Sequence, residues 1–281
     1  MRGFPGDATD TRCRQWNDRI VASRLAKDHP DLNPVEPQGH YVTTPVLDLS
    51  IKLGGPRDRQ LRYGEPFDVL EKRDGFAFGT ALHANYVGWV DASALAQEAS
   101  RKGNIATVCS RATHVYSEPD FKSPELVLLP HLSILAAQGT DGTFTRTELG
   151  WIPSRHLGLD LGIDPVRAAE LYLGTPYLWG ANSSFGIDCS GLVQAGLQAI
   201  GIASPGDSDL QQTYFPAAPL TNYQRGDLLF WKGHVAMVAD PETLIHANAH
   251  HMAVTYEPIG SAIARIESQG DGPVTKHARL T

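Results

Sequence analysis

The stretch Asp188-Cys189-Ser190-Gly191-Leu192-Val193 decides the interpretation of this chain, together with His234 and His246 further along. A cysteine attacks a carbonyl group as the thiolate, and a free thiol with a pKa of about 8.5 is mostly protonated at neutral pH. We expect Cys189 to begin an amphipathic helix, where the helix dipole and a nearby imidazolium lower that pKa. A second group must accept the proton, and a third must orient it. The pattern therefore predicts Cys189 as nucleophile, His234 as base and His246 as orienting group.

Taken singly, each of these residues has an ordinary explanation, because a lone cysteine is most often a small buried hydrophobe. Their flanking segments are more specific. The turn-rich aromatic stretch Gly174-Thr175-Pro176-Tyr177-Leu178-Trp179-Gly180 precedes the cysteine, and Arg225-Gly226-Asp227-Leu228-Leu229-Phe230-Trp231 enters a buried strand before His234. In order, spacing and flanks, the chain from Pro165 to about Ile259 resembles the NlpC-type peptidases of bacterial cell-wall peptides. The resemblance implies a papain-like α+β fold.

Composition narrows the class of protein. The 281 residues carry a net charge of -7, which argues against a nucleic-acid partner because phosphate binding needs a basic face. No apolar run approaches the ~18 residues of a membrane helix, so we expect no membrane insertion. Three distant cysteines predict no disulfide framework. The charged N-terminal segment from Met1 to Leu25 lacks an export signal, so a cytoplasmic location is expected, with export as the alternative if a signal peptide precedes this sequence.

The chain is predicted to have four parts. Residues 1–38 form an N-terminal helical extension, with a helix over 12–27. Residues 39–100 and 101–160 each have short strands between turns and resemble bacterial SH3-like barrels. Their shared endings, Gly88-Trp89-Val90 and Gly150-Trp151-Ile152, predict a duplicated unit. Residues 161–281 form the papain-like peptidase domain, beginning at a helix capped by Asp164.

Several further residues have two interpretations each. The resemblance implies that Tyr177 lies near the oxyanion, and that Asp188, Ser190 and Ser208 contact the peptide. Alternatively, Tyr177 packs on the helix and Asp188 or Ser190 caps it. Ser208, three residues before Gln211, also fits a capping box.

Two residues of the first predicted barrel are further candidates. In members of the resembled family with two SH3-like domains, an acid and a tyrosine of the first barrel recognise the free amine of an N-terminal L-alanine. Glu65 and Tyr86 are the corresponding residues, and Asp188 is the second negative partner. Their alternative roles are those of a turn residue and a strand residue.

The histidines at 250 and 251, together with His246, suggest a metal site at first sight. Consecutive strand residues face opposite sides of a sheet, and no cysteine or carboxylate lies nearby in sequence to complete the set. We therefore expect neither a metal nor an organic cofactor.

The resemblance implies a cysteine endopeptidase that cuts the γ-D-glutamyl to diamino-acid bond of murein stem peptides. The expected substrate is a short recycled peptide with a free N-terminal L-alanine. An exported wall-remodelling enzyme, a papain-like amidase or acyltransferase and a wall-binding module remain alternatives, because a triad fixes acyl transfer and not the acyl group. The oligomeric state is left open.

Overall fold

The computed structural model describes residues 10–158, 164–219 and 222–280. The chain divides between residues 159 and 160 into two compact units. The finer domain boundaries given above stay predictions.

The predicted helix over residues 12–27 is wrong. Single 3-10 turns cover Thr11–Cys13 and Ser23–Leu25, and strand β1 (Ile20–Ala22) pairs in parallel with β2 (Asn33–Val35). Asn17 accepts hydrogen bonds from the backbone N–H groups of Arg19 and Ile20, a local turn that competes with helix formation. All three β1 side chains are buried, so the apolar residues do not form a single helical face.

The first unit contains two sheets with the same pairing pattern. Its first sheet and hairpin are built from β3 (Gln38–Val42), β4 (Val46–Leu49), β5 (Arg59–Arg62), β6 (Pro66–Arg73), β7 (Phe76–Ala81), β8 (Tyr86–Asp91) and β9 (Leu95–Gln97). The second sheet is built from β10 (Asn104–Thr107), β11 (Ala112–Tyr116), β12 (Glu125–Pro130), β13 (Ile134–Asp141), β14 (Phe144–Thr147) and β15 (Gly150–Pro153).

In the first set β3 pairs with β6, β6 with β7, β7 with β8, and β4 with β5. In the second set β10 pairs with β13, β13 with β14, β14 with β15, and β11 with β12. The tryptophans of the two Gly-Trp endings make corresponding bridges, Trp89 to Ser50 and Trp151 to Tyr116. The duplicated unit predicted from these endings is confirmed.

A close approach explains the glycine in the first ending. A Cβ atom at Gly88 would lie 2.5 Å from a methyl carbon of Leu49 and 2.7 Å from the Ser50 carbonyl oxygen. Only glycine lets β8 approach this closely and close the first strand set.

The second unit places helices beside an antiparallel sheet. Its helices are α1 (Pro165–Glu170), α2 (Cys189–Ala199), α3 (Ser208–Tyr214) and α4 (Ile259–Ser268). A short hairpin, β16 (Asn182–Ser183) and β17 (Gly186–Ile187), precedes α2. The sheet, in the order β21-β20-β19-β18-β22, contains β18 (Leu228–Trp231), β19 (His234–Asp240), β20 (Thr243–Asn248), β21 (Ala253–Pro258) and β22 (Lys276–Ala278).

Two helix starts differ in their agreement with the prediction. Asp164 caps α1 through Arg167 N–H, with Pro165 at the first helical position, as expected. At α3 the predicted capping box is wrong, because Asp207 is the N-cap and Ser208 is the first helical residue. The Gln211 side chain instead donates to the carbonyl oxygens of Ser190 and Pro205.

Helix α2 begins at Cys189, as predicted, but it is not amphipathic. All of its residues are buried, including the polar Gln194. That side chain is held by Asn182 and by the Ser204 carbonyl oxygen, so the helix has neighbours on every side. Within residues 10–158, 164–219 and 222–280, no helix is long and apolar enough to cross a membrane.

Candidate active site

Asp188 fixes the start of the helix that carries Cys189. One carboxylate oxygen accepts hydrogen bonds from the Gly191 N–H at 2.6 Å and the Ser190 hydroxyl at 3.0 Å. The other accepts the Gly180 N–H at 3.0 Å. The capping interpretation of Asp188 therefore holds, and Ser190 is buried and bonded to the same carboxylate.

The helix start and strand β19 both contribute to the electrostatic environment of the Cys189 thiol. The backbone N–H groups of Val235, Ser190 and Cys189 itself act to lower its pKa. Burial, helped by the Asp188 carboxylate, nevertheless raises the pKa of the Cys189 thiol to about 12. The expectation of a lowered thiol pKa is wrong, because the sulfur is only 7% exposed and a carboxylate caps its helix.

The two predicted histidines lie side by side. His234 is the first residue of β19 and directly precedes Val235, whose backbone N–H acts to lower the pKa of the Cys189 thiol. His234 Nε2 is 3.0 Å from His246 Nδ1. Burial lowers the pKa of His234 to about 3 and that of His246 to about 4. Both rings are thus neutral at physiological pH.

Two residues that the sequence analysis missed extend the series of contacts that begins with His234 and His246. His246 Nε2 is 3.0 Å from Glu257 Oε2 on β21. The Arg265 guanidinium on α4 binds the same carboxylate through two contacts, at 2.9 Å and 2.7 Å. Hydrogen bonding to Arg265 lowers the pKa of Glu257. The residues involved come from consecutive elements, β19, β20, β21 and α4.

Strand pairing explains how Glu257 reaches His246. His246 lies opposite Thr255 in the β20–β21 ladder, and Glu257 is two residues further along. Residues in such a diagonal position on one face are within reach of long side chains. Only the register of this hairpin identifies Glu257, and no motif in the sequence marks it.

Tyr177 lies near the nucleophile. Burial and the charges of Cys189 and Asp188 raise the pKa of the Tyr177 hydroxyl, so it remains a hydrogen-bond donor. The backbone holds the residue in place through the Tyr177 N–H, which donates to the Met252 carbonyl oxygen at 2.9 Å.

Ser208 is held in α3 and is linked to the site indirectly. Gln211 of the same helix donates to the Ser190 carbonyl oxygen at 2.9 Å. No contact described for Ser208 connects it with Cys189, and its role in peptide binding stays a prediction.

Glu65 and Tyr86 lie in the first unit and have partners there. Arg62 donates to the Glu65 carboxylate, and His83 lies 3.8 Å from it. Although burial opposes ionisation, these neighbours lower the pKa of Glu65 to about 2. The Tyr86 hydroxyl donates to Asp58. Their contact with a substrate amine stays a prediction.

A cleft of about 200 Å³ opens beside His234. Its lining is mostly polar and comprises Tyr177, Lys232, Gly233, His234, Asn248, Ala249, His250, Arg265, Ile266, Gln269 and Asp271.

Around residues 246–251, where the sequence suggested a metal site at first sight, the backbone N–H of His251 donates to the Asn248 side chain. Across the described ranges, no three His, Cys, Asp or Glu side chains form a group that could hold a metal ion.

A buried thiol at a helix start, with a pair of histidines on the antiparallel sheet of the same unit, is the arrangement expected of a papain-like cysteine peptidase. The comparisons agree. Residues 174–267 match the NlpC/P60 family, and residues 50–95 match the bacterial dipeptidyl-peptidase SH3 domain. The NlpC/P60 match thus lies in the second unit of this chain, and the SH3 match lies in the first.

Curated relatives share part of the chain. A gamma-D-glutamyl-L-lysine dipeptidyl-peptidase from Bacillus cereus is 31% identical over 143 residues, which are 48% of this chain and 41% of that relative. The chain therefore spans about two fifths of the length of that relative. Dipeptidyl-peptidase 6 from Lysinibacillus sphaericus is 27% identical over 215 residues, covering 67% of this chain and 79% of the relative.

A solved structure supports the fold over most of the chain. An NlpC/P60 family protein from Bacillus cereus superimposes with a TM-score of 0.73, covering 86% of this chain and 99% of that one, at 18% identity. The α+β fold class with SH3-like strand sets ahead of a papain-like domain is confirmed.

Proposed function

We propose that this chain is a cysteine endopeptidase that hydrolyses the γ-D-glutamyl to diamino-acid bond of short murein-derived peptides. One observation carries the proposal most directly. Val235, whose backbone N–H acts to lower the pKa of the Cys189 thiol, directly follows His234, and His234 Nε2 lies 3.0 Å from His246 Nδ1. This arrangement supports the assignment of Cys189 as nucleophile, His234 as base and His246 as orienting group.

In the proposed reaction, the Cys189 sulfur attacks the γ-carbonyl carbon while its proton passes to His234. The first N–H groups of a helix have no partner within it, so the Cys189 N–H is available to donate to the oxyanion. The raised pKa of Tyr177 keeps its hydroxyl protonated as a further donor. His234 then gives the proton to the leaving amine, and water hydrolyses the thioester.

The choice of bond rests on similarity. The Bacillus cereus relative is named for the gamma-D-glutamyl-L-lysine linkage, and the SH3 match is to the domain of bacterial dipeptidyl-peptidases. We further propose a substrate with a free N-terminal L-alanine, held by Glu65, Tyr86 and Asp188. Recycling of such peptides in the cytoplasm is the setting that we propose.

Replacing Cys189 with alanine tests the peptidase assignment. Defined murein tripeptides and tetrapeptides are incubated with each protein, and the products are identified by mass spectrometry. We expect wild type to release the dipeptide that ends in D-glutamate, and Cys189→Ala to lose turnover because the nucleophile is gone. A variant rate within about tenfold of wild type, which is only ~1.4 kcal/mol of barrier, would refute the role of Cys189.

A matched cysteine variant and a chelator serve as controls. Cys109→Ala removes a partly exposed thiol of the first unit and should leave turnover unchanged. Treatment with a chelator should also leave the rate unchanged. Loss of activity that zinc restores would contradict the metal-free mechanism.

A further inference from the structure

Glu257 carries a defined charge at the end of the histidine pair. Its carboxylate is 7% exposed and is bound by both Nε and Nη2 of Arg265. An ionised carboxylate can only accept hydrogen bonds. The His246 nitrogen that faces it, Nε2, must therefore be the protonated nitrogen of that ring.

The protonation of His246 determines that of His234. A neutral imidazole has one N–H and one acceptor nitrogen, so a proton on His246 Nε2 leaves His246 Nδ1 as an acceptor. Nδ1 is the atom that lies 3.0 Å from His234 Nε2. His234 must then carry its proton on Nε2 and leave Nδ1 without one.

We propose that Glu257 is a positioning residue that sets the tautomers of both histidines, so that His234 has an unprotonated ring nitrogen with which to accept the Cys189 proton. The inference rests on the proposed function, because it assigns His234 as the base for Cys189. It adds Glu257 and Arg265 to the three residues of the site, which then draws on β19, β20, β21 and α4 as well as α2.

A purely structural role for Glu257 makes different predictions. In that case the ion pair with Arg265 only ties α4 to β21, and its loss lowers stability alone. The second unit contains a matched example of such an arrangement. Asp227 is buried, accepts from Arg279 at 2.8 Å and lies 2.6 Å from His277 Nε2, and neither partner belongs to the proposed site.

Glu257→Leu tests the proposal, because it removes the carboxylate that accepts from His246 Nε2 and leaves near that nitrogen the Arg265 guanidinium, which can only donate. His246 Nε2 then becomes the acceptor, and the proton moves to His246 Nδ1. His234 Nε2 in turn becomes the acceptor, so His234 Nδ1 is protonated and cannot serve as base. We expect kcat to fall by roughly 10²–10⁴, with a much smaller change in KM.

Ring ¹⁵N NMR of the histidines is the decisive readout, because it reports tautomers without substrate. Wild type should show His246 protonated on Nε2 and His234 on Nε2, and Glu257→Leu should show both reversed. Asp227→Asn, the matched control, should lower stability and leave these tautomers and the kcat of folded protein unchanged.

The outcomes separate the two proposals. A wild-type spectrum with His246 protonated on Nδ1 would overturn the tautomer assignment without any variant. Unchanged tautomers and kcat in Glu257→Leu would overturn the positioning role. If the tautomers reverse while wild type cleaves no murein peptide, the proposed substrate is wrong and the positioning role stands.

Discussion

At Cys189, two electrostatic influences oppose each other. Three backbone N–H groups favour the thiolate, while burial and the Asp188 carboxylate favour the thiol. The net result is a raised thiol pKa, and burial keeps His234 neutral as well. Both shifts favour the neutral forms, a thiol at Cys189 and an uncharged imidazole at His234.

The raised thiol pKa predicts the pH dependence of alkylation. In a Cys13→Ser, Cys109→Ser background, iodoacetamide can react only with Cys189. The thiolate fraction grows tenfold for each pH unit below the pKa, and the pKa is raised to about 12. The rate constant should thus climb about tenfold per pH unit from pH 6 to 9.

A small-molecule thiol in the same buffers provides the control, since its rate levels off above its own pKa. A Cys189 rate that is constant between pH 5 and 8 would mean that the thiolate is already formed. The resting state would then be a thiolate–imidazolium pair, contrary to the assignment made here.

The residue scale also separates what the sequence can reveal from what it cannot. The flanks of Cys189, His234 and His246 predict these three residues as a site, because turns and apolar runs are local signals. Glu257 has no such signal, since its contact with His246 depends on the register of one hairpin. The raised pKa of Cys189 depends on how deeply α2 is buried, which periodicity does not report.

At the scale of elements, α2 shows how a helix start is coupled to the chemistry it carries. Its N-cap, Asp188, binds N–H groups of Gly191 and Gly180 and raises the pKa of Cys189. The same carboxylate therefore stabilises the helix and opposes ionisation of the thiol.

Asp188→Asn should separate these two effects. The neutral amide keeps one accepting oxygen but leaves a buried N–H group without its acceptor, which costs about 1–3 kcal/mol in the free energy of unfolding. Removing the negative charge should also lower the pKa of Cys189. We expect a lower urea midpoint together with faster alkylation at a given pH below 9.

Asp164→Asn is the matched control, because Asp164 caps α1 through Arg167 N–H at 3.0 Å and has no described contact with Cys189. It should lower stability by a similar or smaller amount and leave alkylation unchanged. Slower alkylation in Asp188→Asn would show that the cap acts on the thiol mainly by positioning the helix.

The types of the secondary-structure elements were predicted correctly in some segments and wrongly in others. The strands between Gly226 and Ile259 follow from apolar runs that turns precede, and the cap of α1 follows from Asp164-Pro165. The segment from 12 to 27 was misassigned because its apolar residues are spaced like a helix, whereas Asn17 starts a turn and β1 pairs with β2. Tertiary pairing decides such short segments, and local spacing does not.

At the scale of the whole molecule, the proposed role of the first unit in substrate binding can be tested by comparing substrates. Glu65 is already bound by Arg62, and the Tyr86 hydroxyl by Asp58. If Glu65 also holds the substrate amine, acetylation of the N-terminal L-alanine removes the charge that it recognises. We expect acetylated peptides to have a lower kcat/KM, and the difference should correspond to about 2–5 kcal/mol of binding free energy.

Glu65→Gln should shrink this preference by weakening the free-amine substrate more than the acetylated one. Both substrates are measured on the same variant, so any loss of folded protein cancels in the ratio. Asp68→Asn, in the neighbouring strand β6, is the control and should preserve the ratio. Equal rates on free and acetylated peptides would leave Glu65 as a turn residue of the first strand set.

The line from thiol to guanidinium follows the order in which the chain is made. Cys189, His234, His246, Glu257 and Arg265 come from successive elements, and 265 − 189 = 76 residues separate its two ends. Synthesis proceeds at about 5–20 residues per second, so the nucleophile emerges roughly 4–15 s before the arginine that binds Glu257. Throughout that interval the growing polypeptide contains Cys189 but not yet the Glu257–Arg265 ion pair that we propose to set the histidine tautomers.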